Sequence, residues 1–145
     1  TGAINGGAWG GSGTNPVTSL TLASAARYYS PVIWLLQSNI TLDQISYIIT
    51  ADGSTTANIH LMSYSLVTGT GSTAGDLSSG AVLAQTGSAS DSLSPVTIGD
   101  DRASNGTLTI NTANVNSGKV IVAFVENVGS SDDVSIQLSV KYHLR

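Results

Sequence analysis

Apolar and polar positions alternate most regularly in VSIQLSVKYHL. Val134, Ile136, Leu138, Val140, Tyr142 and Leu144 share one face, and Ser135, Gln137, Ser139, Lys141 and His143 share the other. This period of two predicts a strand with one buried and one wet side. KVIVAFV, 119–125, is apolar on both faces, the pattern of a central strand covered twice. The densest apolar run lies between Arg27 and Leu66, where YYSPVIWLLQ and ITLDQISYIIT precede ADGSTTA and ANIHLMSYSL. Asp52-Gly53 is a turn signal that favours φ > 0. These runs therefore predict a central hairpin closed by a four- or five-residue loop.

Shorter strands are expected at VTSLTL (17–22), AVLAQT (81–86), SPVTIG (94–99) and TLTIN (107–111), with a long surface loop over 68–80. Asn105-Gly106 supplies a second turn signal. No segment sustains an apolar stripe at i, i+3, i+4, so no helix is predicted. Short strands separated by Gly, Ser, Asn and Asp predict an all-β chain. The architecture expected is a single β-sandwich of jelly-roll type with eight to ten strands.

The first sixteen residues, TGAINGGAWGGSGTNP, are too poor in apolar groups to pack alone. The expected organisation is a flexible Gly-rich N-terminal arm over 1–16 and a β-sandwich domain over 17–145. Ile4 and Trp9 interrupt the arm. Either Trp9 packs back onto its own domain, or Ile4 and Trp9 dock on a neighbouring subunit as oligomer-interface anchors.

Composition narrows the function. Only 10% of the 145 residues are charged, against roughly 25% in typical soluble domains, so solubility rests on Ser, Thr, Asn and Gly. That balance fits secreted or particle-bound β proteins. A net charge of -4 and five scattered basic residues give no footprint for nucleic acid. The longest apolar run, Tyr28 to Leu36, is too short to span a bilayer. The chain has no cysteine, and so neither disulfides nor thiolate metal sites. It opens on Thr rather than Met, as a processed chain or a piece of a longer one would.

Chemistry is sparse. Asp100-Asp101 and Asp132-Asp133 sit beside turn residues, where Asp bonds its own backbone, and the spacing of a calcium loop is missing. GxSxG does not occur, Glu126 is the one Glu, and His143 falls on the wet face of its strand. No catalytic residue, metal ligand or cofactor is therefore assigned, and the protein is not expected to be an enzyme. Asn39-Ile40-Thr41 and Asn105-Gly106-Thr107 match the glycosylation pattern by chance in so Asn-rich a chain. Tyr28, Tyr29 and Trp34 are glycan-stacking candidates if they lie exposed on their strands; otherwise they fill the core.

The run YYSPVIWLLQSNITLDQISYIITADGSTTANIHLMSYSLVTG, followed by GDLSSGAVLAQTGSAS, resembles the β-sandwich modules that recur in bacteriophage virion proteins. Tyr28, Tyr29, Pro31, Ile40, Thr41, Leu42, Asp43, Ile45, Gly53, Leu61, Tyr64 and Leu83 carry the likeness. The ending, NVNSGKVIVAFVENVGSSDDVSIQLSVKYHLR, is similar to the close of tail-fibre and tailspike accessory domains, with Lys119 where those modules often have Asp. The resemblance implies a non-enzymatic fibre, spike or capsid-decoration component at the virion surface. Its implied partners are other virion proteins and copies of itself, most often three, with a cell-surface glycan as a further partner. Two other roles stay open: a carbohydrate-binding module of a larger secreted protein, and a filament subunit joined through its N-terminal arm.

Overall fold

The computed structural model describes residues 33–68, 77–87, 95–127 and 134–145. These contain ten strands and no helix: β1 (Ile33–Leu35), β2 (Ile40–Ala51), β3 (Thr55–Leu66), β4 (Leu77–Gln85), β5 (Val96–Ile98), β6 (Arg102–Thr107), β7 (Thr109–Ile110), β8 (Asn114–Val115), β9 (Lys119–Asn127) and β10 (Val134–Leu144). The expectation of an all-β chain holds. Ile4, Trp9, Tyr28 and Tyr29, the N-terminal arm and the strand expected at 17–22 lie outside the described residues.

All pairings are antiparallel. One sheet runs β1-β9-β3-β4-β7, with β5 also beside β3; the other runs β10-β2-β6, with β8 also beside β2. Between them Ile45, Tyr47 and Ile49 of β2 share one apolar cluster with Ile59 and Leu61 of β3 and Ile121 and Val125 of β9. Alternation on β2 supplies one apolar face. It breaks once, at the adjacent exposed pair Asp43 and Gln44, where the register against β10 shifts between Lys141 and Tyr142. Such a bulge carries one extra residue without turning the apolar positions beyond it away from the core.

The central hairpin does not form. β2 and β3 belong to opposite sheets, so Asp52-Gly53-Ser54 is an arch that carries the chain across the sandwich. The apolar faces of β2 and β3 meet each other across the core, which one shared sheet could not arrange. Gly53 is not in the left-handed region. Asp101 is, at φ 49°, in a second arch from β5 to β6, where the Arg102 amide donates to Gly99 O at 3.2 Å. The two arches lie side by side, because Thr55 pairs with Ile98 and Ala51 with Arg102.

Asn105-Gly106 is likewise no turn. It lies inside β6, opposite Ile48 and Tyr47, and Gly106 meets a packing demand: a Cβ there would lie 2.6 Å from Tyr47 Oη. The loop expected over 68–80 is not found at its end, since β4 begins at Leu77 with that side chain buried. Ser79 (φ 52°) lies where the pairing with β3 is irregular between Ser63 and Ser65, so polar residues there read as loop although they bulge within a strand.

The centre of the six-stranded sheet, β3 and β9, is buried on both faces. Every residue of β3 from Ala57 to Tyr64 is buried. On the face turned from the sandwich, Met62, Tyr64, Leu77, Val120, Val122 and Phe124 make a second apolar cluster, with Tyr64 and Phe124 rings 6.2 Å apart. The doubly covered strand expected at 119–125 is thus found in β9. Its companions differ from expectation. Val120, Val122 and Phe124 do not share a layer with Ile136, Leu138 and Val140, which pack on the sandwich core. Strand alternation sends Ile121, Ala123 and Val125 inward instead.

Burial pushes the phenols of Tyr47 and Tyr64 above their ordinary value of 10.0. In the unfolded chain both ionise near pH 10, while the folded chain keeps them neutral to higher pH. Their contribution is thus complete below about pH 10 and is lost as pH rises, by up to about 1.4 kcal/mol per pH unit for each ring. Urea unfolding followed from pH 9 to 12 should show this decline, and Tyr64→Phe should make it shallower. A wild-type profile flat through that range would rule out the ionisation linkage.

Candidate interaction surface

The two long margins of the sandwich differ. On one, the chain passes directly from β6 of the smaller sheet to β7 of the larger through Leu108, whose amide donates to Ile45 O at 2.9 Å. That margin is closed by the covalent chain. On the other, β1 and β10 are the outer strands of their sheets among the described residues. There side chains of the two strands meet across the gap between the sheets. Trp34 of β1 packs on the core and meets Tyr142 of β10, with ring centroids 5.1 Å apart and planes inclined at 52°. Tyr142 stays 44% exposed and Leu144 67% exposed.

A polar rim borders this seam. His143 Nδ1 lies 2.9 Å from Asp43 Oδ1, both on the wet face. Asp43 reaches its partner from the bulge, which ties the local irregularity of β2 to the contact. Arg145 Nη2 donates to Asn116 Oδ1 at 2.8 Å, and its amide donates to Asn39 O at 3.0 Å. Asn39 Oδ1 accepts from the Ser117 amide at 2.8 Å, so this half of a glycosylation pattern fastens the turn before β9. Thr41 Oγ1 donates to Asn114 Oδ1 at 2.9 Å.

Of the interface and glycan-stacking candidates, Ile4, Trp9, Tyr28, Tyr29 and Trp34, Trp34 alone lies within the described part. It is partly buried, with Tyr142 against it, so its ring face is shared between core and seam. Tyr142 belongs to the same surface. Its place in the period-two pattern assigned it to the buried face, and that pattern cannot show that its strand lies at an outer edge. Edge-to-face and tilted aromatic pairs contribute about 0.5–1.5 kcal/mol beyond area burial. A Trp34→Leu/Tyr142→Leu double-mutant cycle in urea should return a coupling of that size, and a coupling near zero would mean that the rings do not hold the seam.

A second polar group lies on the other side of the larger sheet. Asn58, His60 and Gln85 are buried there, and His60 pairs in register with both Gln85 and Phe124. No group of three or more His, Cys, Asp or Glu that could hold a metal ion occurs among the described residues. No family model matches the chain, and no curated protein matches it.

Proposed function

We propose that the chain is a non-enzymatic structural subunit of an extracellular assembly, in the first instance the fibre, spike or capsid-decoration part of a bacteriophage virion. The observation that carries this reading is the margin formed by β1 and β10. A long strand of low charge, with half-buried apolar residues and an exposed Tyr142 near its end, offers a surface for another protein. Sparse charge across the whole chain supports it, because few charges oppose close packing of subunits. Copies of the same chain and other virion proteins are the partners proposed, and the virion surface is the location.

Sedimentation of the full chain at micromolar concentration should give a multiple of 14.7 kDa. A compact monomer across that range would overturn the assembly reading. Carbohydrate binding is the second reading, and the partly exposed Trp34–Tyr142 pair favours it. Binding of the isolated chain to a glycan array, abolished by Tyr142→Ala, would put that reading first.

A further inference from the structure

Outer strands expose unpaired backbone groups, and β proteins protect them with shortness, charge, proline or bulges. Three outer strands here are short: β1 has 3 residues, β7 has 2 and β6 has 6. β10 has 11. It contains no proline or glycine, and its one Lys and its register shift fall together at Lys141/Tyr142. From Val134 to Val140 it pairs with β2 without interruption and carries no charge. Among the described residues, no strand pairs with its other edge.

That unprotected window reads VSIQLSV. It is chemically palindromic about Gln137: Ser135 mirrors Ser139, Ile136 mirrors Leu138, and Val134 mirrors Val140. It is followed by Lys141. Antiparallel strands place residues of one face opposite each other. A second copy of the window, turned about Gln137, would therefore match apolar with apolar and hydroxyl with hydroxyl. A parallel copy in the same register would set Lys141 against Lys141.

We propose that two copies of this chain join through β10, pairing antiparallel over Val134–Val140 about a two-fold axis at Gln137, so that the smaller sheet continues from one subunit into the other. The occupant of the edge is a second copy because the window is complementary to itself, which an isologous contact requires. Ile136, Leu138 and Val140, only partly buried in the single chain, would gain cover from the partner's strand. The proposal rests on the assembly reading and sharpens it. A two-fold contact gives dimers or even-numbered assemblies in place of the three-fold one implied by the resemblance.

Gln137 is exposed, so a charge there is tolerated by the fold, which the urea midpoint of each variant checks. Gln137→Lys and Gln137→Glu each place like charges together at the axis. Each should weaken self-association of the full chain by at least about tenfold in analytical ultracentrifugation. An equimolar mixture of the two should associate again, as mixed dimers of opposite charge. Assembly of the wild type that neither variant weakens would overturn the β10 contact and leave the assembly reading standing. So would dissociation of both without recovery in the mixture. A monomeric wild type would remove both.

Discussion

Replacing Phe124 with alanine should lower the unfolding free energy by about 3–5 kcal/mol. The ring is 7% exposed, in the outer layer of the larger sheet, with Tyr64 beside it. Truncation removes the transfer free energy of an aromatic side chain and leaves a cavity among neighbours that are themselves buried, so little collapse can offset it. The layer assignment adds a sharper test. Leu138 packs on the opposite side of that sheet, in the sandwich core. Phe124→Ala and Leu138→Ala should then add to within about 0.5 kcal/mol. Strong coupling would place both side chains in one core. A loss below about 1 kcal/mol for Phe124→Ala alone would put that face of the sheet at the surface.

Gly106→Ala should destabilise by about 1–3 kcal/mol although alanine is ordinarily the better strand residue. The Tyr47 ring crosses the space that the new methyl would need, with Oη 2.6 Å and Cζ 2.9 Å from it. Tyr47 is nearly buried between the sheets, so the ring cannot simply swing away. In a Tyr47→Leu background the obstruction is gone. There the same glycine substitution should be neutral, or stabilising by up to about 1 kcal/mol through its effect on the unfolded chain. An equal loss in both backgrounds, read from urea midpoints, would show that the glycine serves the backbone and not the ring.

Face patterning was legible in the sequence, while sheet membership was not. Alternation in β10 and double burial in β9 follow from which side chains are apolar; the first is found from Val134 to Val140, beyond which Tyr142 and Leu144 stay exposed, and the second is found in β9. Asp52-Gly53 marks a change of direction correctly, yet a reversal within one sheet and a crossing between two sheets call for similar residues. What decides between them is where the apolar faces of β2 and β3 find partners, and that depends on strands more than fifty residues away. Asn105-Gly106 misleads for a different reason. A glycine that makes room for an aromatic ring is indistinguishable, in one sequence, from a glycine that makes a turn. The seam stayed hidden because Trp34 and Tyr142 lie 108 positions apart and meet only once both sheets exist. Its polar rim has the same origin, as Asp43 and His143 are 100 positions apart.

The two arches bear on how the chain is made. Of the described strands next to each other in sequence, only β3 and β4 are neighbours in a sheet. β2 must wait for β10, whose partner residues follow it some 80–100 positions later. A ribosome adding about 5–20 residues per second reaches them on the order of 5–20 s after β2 emerges. For that interval β3 already faces Ile45, Tyr47 and Ile49 across the core, but the edge of β2 that β10 will occupy has no partner strand. Topologies this non-local fold in milliseconds to seconds once complete. Synthesis, rather than folding, then sets the pace at which the protein matures.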